Sequence, residues 1–260
     1  GAGGGGTGGV FGAWAGEYDL HRPSYPDEVF DRVAEHALAA VPGVIPGVAV
    51  DVGAGTGRAA LAMARRGFNV IATDSDPAML RKLEAAVGAA GMSSRVRAAA
   101  APAEDLTPAV ERGCASVLTV FQAFHWMDAR RALASFARAI EPGGTLAMCW
   151  NDRDLSVPWV AGLESAIEAA NPRYSRELKQ SLGWGDAIAR AAPPDSFEPE
   201  PVVSVPHAVV YDDPRRQVRD LLMTFSYVRA LGDGAEAFAE RAAEAAAAAA
   251  QAVAEAELNR

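Results

Sequence analysis

Apolar residues recur along this chain with two different periods. Between Pro26 and Val41 they stand at Val29, Phe30, Val33, Ala37 and Leu38, the spacing of one helical face, and Pro42-Gly43 closes the segment. Val48, Val50 and Val52 then alternate with small or acidic residues, and the run breaks into Gly53, Gly55 and Gly57 before an alanine-rich stretch. That succession predicts a strand, a tight loop and a helix from Ala59 to Arg66 that stops at Gly67. Asn69 to Asp74 predicts the next strand, followed by a helix from Pro77 to Ala90 that Gly91 ends. Asp76 is placed to cap that helix, and Pro77 suits its first turn, where a missing N–H costs nothing. Arg95 to Ala99 predicts a weak third strand and Ser116 to Phe121 a buried fourth. A helix from Asp128 to Ile140 carries Leu133, Phe136 and Ile140 on one face. The turn Glu141-Pro142-Gly143-Gly144 then leads to a fifth strand, Thr145 to Trp150.

Strands alternating with helices of this length call for a parallel sheet covered on both faces. The expected fold class is therefore α/β, a doubly wound, Rossmann-like, mostly parallel sheet. The pattern changes after Asn151. Val157 to Ala170 reads as helix, Asn171 to Ser196 as irregular, Val202 to Val210 as extended and Pro214 to Leu231 as one amphipathic helix. Ala235 to Leu258 predicts a long alanine-rich helix. Its only large apolar residues are Phe238, Val253 and Leu258, so it is expected to bury little and to fray.

The 260 residues suffice for a large α/β domain with a modest cap, and for a core that needs no staples. Cys114 and Cys149 are far apart and near predicted strands, which fits reduced core thiols in a reducing compartment. No CxxC, HxxxH or HExxH spacing occurs, so no metal site is expected. A net charge of −9 argues against general affinity for nucleic acid or an anionic membrane. No apolar run is long enough to span a bilayer and no signal-peptide pattern opens the chain, so a cytoplasmic setting is expected. Gly1 in place of a methionine implies that the native start lies elsewhere, which leaves a removed targeting segment open. Gly1 to Gly9 is expected to be a mobile leader.

The glycine loop selects its ligand by spacing. Glycine tolerates positive φ and lets backbone come close to a bound molecule. A phosphate loop wants GxxxxGK, yet the only lysines are the distant Lys82 and Lys179. A dinucleotide fingerprint wants GxGxxG, and Arg58 stands where its third glycine belongs. Asp51 adds negative charge where a pyrophosphate would sit, and suits an ammonium group instead. Asp74, at the tip of the second strand and about twenty residues past the glycines, is placed to accept both hydroxyls of a ribose. Taken singly, each carboxylate also reads as a solvated strand end.

The pattern Asp-x-Gly-x-Gly-x-Gly over 51–57 resembles motif I of class I S-adenosylmethionine methyltransferases. Three further segments resemble one branch of them, the methyltransferases of trans-aconitate and farnesoic-acid type that act on small molecules. FGAWAGEYDLHRPSYP over 11–26 is similar to the opening Y-x-x-x-R-P-x-Y-P, and VLTVFQAFHWMD over 117–128 to Q-A-x-H-W-F-D. RALASFARAIEPGGTLAMCWN over 131–151 resembles the helix, L-K-P-G-G turn and fifth strand. Beyond these, only LMTFSYVRAL over 222–231 continues the likeness.

The resemblance implies S-adenosylmethionine as cofactor and S-adenosylhomocysteine as product. It implies that Gly53, Gly55 and Gly57 border the methionine part of the donor and that Asp51 holds its amino group. It further implies that Asp74 takes the ribose hydroxyls, that Ser75 and Met79 flank the adenine, and that Ala103 and Glu104 lie beside the adenine edge. Pro102 replaces the usual acidic residue before that alanine, and Ser116 the usual aspartate opening the fourth strand. Gln122 is implied near the transferred methyl. The family fold finishes with an antiparallel strand pair, for which Val202 to Val210 is the one candidate. Either the chain is truncated or the sheet lacks an edge. The implied domains are 1–25 as a flexible leader and lid arm, 26–151 as the donor-binding core, and 152–260 as a helical substrate cap with the sheet edge.

Methyl transfer from a sulfonium asks the protein to orient reactants and exclude water. A carboxylate acceptor needs no base, whereas a hydroxyl or amine benefits from one. His125 is either that base, a protonated anchor for an acidic acceptor, or a residue that packs beside Trp126 and caps the next helix. Trp126 is a wall of the acceptor pocket or core, in preference to a cation–π partner for the sulfonium. Tyr18, Arg22 and Tyr25 form the candidate lid. The fork of Arg22 either grips a carboxylate of donor or acceptor or makes a surface ion pair. Trp14, Trp159, Tyr227 and Arg229 are further lid or pocket candidates. The expected activity is methylation of a carboxylate or hydroxyl oxygen on a small molecule, by a monomer or homodimer without nucleic-acid or membrane partners. The rivals are a catalytically silent donor-binding module and an NAD-dependent oxidoreductase.

Overall fold

The computed structural model describes residues 21–40, 47–172, 174 and 184–258, and among them the chain forms two compact units. The first contains Ser24–Asn151 and Ser181–His207. Its sheet has five strands: β1 (Val48–Val52), β2 (Asn69–Asp74), β3 (Val96–Ala100), β4 (Ala115–Phe121) and β5 (Ile140–Cys149). They lie in the order β3-β2-β1-β4-β5 with every pairing parallel. The order turns back between β1 and β4, so the carboxyl ends of these two strands flank the switch point where such sheets bind ligands.

Helices α1 (Asp27–Ala40), α2 (Arg58–Arg65), α3 (Pro77–Ala89) and α4 (Ala129–Ala139) accompany the sheet. The strand period of two sorts side chains into two cores. Ala49 and Val117 join Phe30, Met63, Phe68 and Leu83 in one cluster. Their strand neighbours Val50, Val52, Leu118 and Val120 join Leu106, Leu133 and Phe136 in the other. All seven residues of β4 are buried, Ser116 and Thr119 included, as expected of a buried fourth strand at the middle of the sheet. Asp76 caps α3 as expected, its Oδ1 accepting from the Ala78 N–H at 2.8 Å. The Glu141–Gly144 turn stands out as a bulge, because Ile140 pairs with Ala115 and Thr145 with Val117.

Four expectations fail beyond the sheet. The stretch read as irregular contains α6 (Trp184–Ala191), whose Trp184 and Ile188 pack against the second core cluster. The extended segment Val202 to Val210 forms no strand, and Val202 and Val210 are 85% and 86% exposed. Pro201 and Pro206 remove ladder donors there, so β-branched residues alone do not make a strand.

The second unit contains Asp152–Gln180 and Ala208–Arg260, together with Gly16–Pro23. Its helices are α5 (Pro158–Ala170), α7 (Pro214–Met223), α8 (Ser226–Arg229) and α9 (Ala235–Leu258). The single helix expected over 214–231 is broken at Thr224-Phe225. Arg22 explains the break: its Nε donates to Thr224 Oγ1 at 2.9 Å and its Nη2 to the Thr224 carbonyl at 3.2 Å. That carbonyl is the one a continuous helix would offer to Val228, whose N–H bonds Phe225 instead. The expectation that α9 buries little is also corrected. Ala235, Phe238, Ala239, Ala242, Ala243 and Ala246 are buried, since small side chains at helical spacing let α7 and α5 come close.

Candidate functional site

The loop after β1 carries three alternate residues in the left-handed region, Gly53 at φ 67°, Gly55 at φ 55° and Gly57 at φ 91°. They are not equivalent. A Cβ on Gly53 would lie 2.6 Å from the Ala123 Cβ, and one on Gly57 would lie 3.0 Å from the Leu83 Cγ. A Cβ on Gly55 would meet nothing within 4 Å. Packing therefore demands glycine at 53 and 57, whereas Gly55 presents bare backbone to open space.

Asp51 lies beneath this loop with 1% of its surface exposed, so it is not a solvated strand end. Its Oδ1 accepts from the Thr119 hydroxyl at 2.9 Å, and the Ala60 N–H in the first turn of α2 also bonds the carboxyl group. Its Oδ2 is buried and has no partner among the described residues. Burial pushes the Asp51 carboxyl from 3.8 up to about 7; the bonds from Thr119 and Ala60 oppose that rise, and the Asp74 charge adds to it.

Asp74 clamps the loop from the end of β2. Its Oδ2 accepts from the Gly55 N–H at 2.9 Å and its Oδ1 from the Asp76 N–H at 2.8 Å. Burial raises its pKa, and these backbone bonds oppose the rise. Asp76 keeps a buried Oδ2 without a partner among the described residues. Three carboxylates thus gather around one loop, a field that favours a cationic ligand.

Gln122 ends β4 in the left-handed region at φ 54°, a conformation that costs a side-chain-bearing residue about 1 kcal/mol or more. Two bonds hold it there. Its N–H donates to the Cys149 carbonyl at 2.9 Å, and its Nε2 donates to the Asn151 carbonyl at 3.1 Å. Phe124, His125 and Trp126 follow in one 3-10 turn. The His125 and Trp126 rings lie 5.1 Å apart, and Trp126 is 42% exposed, so it is not core. Asp128, not His125, caps α4, its Oδ1 accepting from the Arg131 N–H at 3.1 Å.

The remaining candidates divide. Met79 is buried, Ser75 is exposed and Ala103 is buried. Glu104 accepts from the Asp128 N–H at 2.9 Å. Tyr25 belongs to the first unit, its ring edge-on to Phe121 at 4.9 Å, just before Gln122. Arg22 belongs to the second unit, where it bonds Thr224 and lies over the Phe225 ring at 4.4 Å. Tyr18 and Trp14 lie outside the described residues. Arg229 donates to the Met223 carbonyl.

The sequence reading missed Thr119 and the buried polar network of the second unit. Arg153 donates to Glu164 at 2.5 Å, to the Tyr174 hydroxyl at 2.7 Å and to the Tyr227 hydroxyl at 3.1 Å. The Tyr174 hydroxyl donates to Glu164 at 2.8 Å. A lone Glu164 between Leu163 and Ile167 on the apolar face of α5 was the available signal. Among the described residues no group of side chains is arranged to hold a metal ion, and no helix is long and apolar enough to cross a membrane. Cys114 and Cys149 are free, half-buried thiols, and burial pushes that of Cys149 up to about 12.

Residues 50–148 match the methyltransferase domain family. An uncharacterized methyltransferase of Mycobacterium tuberculosis is 37% identical over 157 residues, 60% of this chain and 58% of the relative. The methyltransferase pgmE of Aspergillus terreus is 30% identical over 183 residues, 65% of this chain and 54% of the relative. A solved structure from Anaeromyxobacter dehalogenans, assigned as a type II methyltransferase, matches with a TM-score of 0.53 at 25% identity, over 86% of this chain and 89% of that one. The chain spans a little over half the length of these two curated relatives.

Proposed function

We propose, from the premise that residues 50–148 are a class I methyltransferase domain, that the chain moves a methyl group from S-adenosylmethionine to a small-molecule acceptor. The acceptor atom is a carboxylate or hydroxyl oxygen. The observation that carries this reading is Asp51 Oδ2, a carboxylate oxygen buried without a partner among the described residues, below a loop whose Gly55 faces open space. A buried charge without a partner is costly, and an ammonium group supplies both the opposite charge and the N–H that this oxygen lacks. Asp74 spends one lone pair of Oδ2 on the loop at Gly55 and one of Oδ1 on the Asp76 N–H, and keeps others for a ribose diol. The residues present therefore fit an adenosyl sulfonium donor.

When bound, that donor supplies an electrophilic methyl whose departure leaves a neutral thioether, so no acid is needed. The chain's own part is placement. Asp51, Asp74 and the bare backbone at Gly55 hold the donor. Gln122, fixed in its strained conformation, shapes the end of β4 beside which the acceptor oxygen is brought. A carboxylate acceptor reacts as it stands; a hydroxyl calls on His125 as base.

The test is transfer of tritium from methyl-labelled donor to a panel of small carboxylic acids, alcohols and phenols. Label in a base-labile ester assigns the carboxylate, and label in a base-stable ether assigns the hydroxyl. Donor binding with no label on any acceptor leaves the silent binding module standing instead.

A further inference from the structure

Three aromatic side chains of the first unit meet where β5 ends. Trp150, one residue past β5, stacks on Trp184, the first residue of α6, with centroids 6.0 Å apart and planes 9° from parallel. Phe124 meets Trp184 edge-on at 5.3 Å. Both indoles are half-buried at the margin of the apolar cluster that contains Phe136. Their Nε1 atoms are both buried, and neither has an acceptor among the described residues. An indole N–H is a donor only, and a buried one ordinarily finds an acceptor. Two orphaned donors in one stacked pair mark a place where an acceptor atom is supplied from outside.

The backbone puts that place at the business end of the sheet. Trp150 lies between Cys149 and Asn151, the two residues whose carbonyls hold Gln122. The geometry points to Trp150 and Trp184 as a subsite for the methyl acceptor, in which the two indole N–H groups take a carbonyl-type oxygen of an apolar small molecule. This assignment rests on the methyltransferase reading and deepens it by naming the acceptor's chemistry. A carbonyl-type oxygen offers two lone pairs to two donors. The aromatic faces favour an alkyl or aryl body. A protonated amine, a donor only, brings no acceptor for the indoles to bond. In a carboxylate acceptor, the oxygen that does not receive the methyl is the one held.

The test uses the whole chain labelled with 15N at tryptophan, titrated with benzoate, benzamide and benzylamine, with and without S-adenosylhomocysteine. The indole resonances of Trp150 and Trp184 are assigned from Trp150→Phe and Trp184→Phe, which keep a ring and remove the N–H. In the ligand-free protein both resonances are expected upfield of the hydrogen-bonded range. Benzoate and benzamide should move both downfield with saturation, and benzylamine should move neither. Each Phe variant should weaken probe binding about five- to tenfold while leaving affinity for S-adenosylhomocysteine unchanged. A variant that fails to fold leaves the wild-type titration to decide.

The assignment is overturned if the two resonances start in the hydrogen-bonded range. It is equally overturned if neither carbonyl probe moves them, or if benzylamine moves them as far. Calorimetry with S-adenosylhomocysteine alone judges the donor reading separately, so the two failures are told apart.

Discussion

Asp51 in the first unit and Glu164 in the second are both buried carboxylates, 1% and 3% exposed, in opposite surroundings. Glu164 meets the Arg153 guanidinium at 2.5 Å and the Tyr174 hydroxyl at 2.8 Å, so each of its oxygens has a partner. Asp51 has a hydroxyl, a backbone N–H and a second oxygen with no partner among the described residues. One carboxylate completes a network and holds helices together. The other keeps one oxygen without a partner among the described residues, at a cost to stability, in the strand that leads into the glycine loop. Desolvation is the same force in both places, and what each neighbourhood supplies in return separates a structural charge from a binding charge.

The largest effect should come from breaking the completed network. Arg153→Ala leaves Glu164 buried without its cation and should cost about 3–5 kcal/mol of stability. Urea unfolding checks this, and a change below about 1 kcal/mol would erase the contrast between the two sites.

Asp51→Asn should act in the opposite direction, and increasingly as pH rises from 3.8 to about 7. Between its unfolded value and about 7, the folded carboxyl keeps a proton that the unfolded chain releases. The contribution of Asp51 to stability therefore falls as pH rises through that window and levels off above it. Relative to the wild type, the variant should gain on the order of 4 kcal/mol between pH 4 and pH 8, read from urea midpoints at both values. A parallel pH dependence in the two proteins would mean that Asp51 is ordinarily solvated.

The glycines sharpen the same contrast at smaller scale. Gly53→Ala meets Ala123 and should lose about 2 kcal/mol of stability, through backbone strain and overlap. Gly55→Ala, with open space around it, should lose about 1 kcal/mol, and its main effect should be weaker donor binding. Equal losses of stability and equal donor affinity would deny the division of labour within the loop. Smallest of all is His125→Ala, expected to leave donor affinity within about twofold. Methylation that also persists unchanged would remove the base from the mechanism.

The sheet and its helices over 47–149 were legible because their signals were local and agreed. Alternation placed β1, an apolar-rich buried stretch placed β4, Asp76-Pro77 opened α3, and glycines marked where helices end. Asp51 and Asp74 were legible as candidates because spacing put them at strand ends. What the chain alone could not give was the division of partners. Asp74 bonds the loop's own backbone, and Thr119 reaches Asp51 from a strand 68 residues away. The later half misled for physical reasons. Valines around 202–210 look like a strand wherever they are, but two prolines and the lack of a neighbour in the sheet leave them exposed and outside any strand. The alanines of α9 carry little hydrophobic signal one by one, and their value lies in letting neighbouring helices approach. The break at Thr224 depends on Arg22, 202 residues earlier, and no window of sequence contains both.

The central claim is that carboxylates left incomplete around the β1 loop are completed by a cationic adenosyl donor. Isothermal titration of the folded protein with S-adenosylmethionine, beside Asp51→Asn and Asp74→Ala, tests it most directly. The account predicts saturable one-to-one binding to the wild type. Each variant should bind more than tenfold more weakly, since a charge-assisted hydrogen bond contributes about 1.5–3 kcal/mol. No heat from the wild type, or undiminished affinity in both variants, would contradict it.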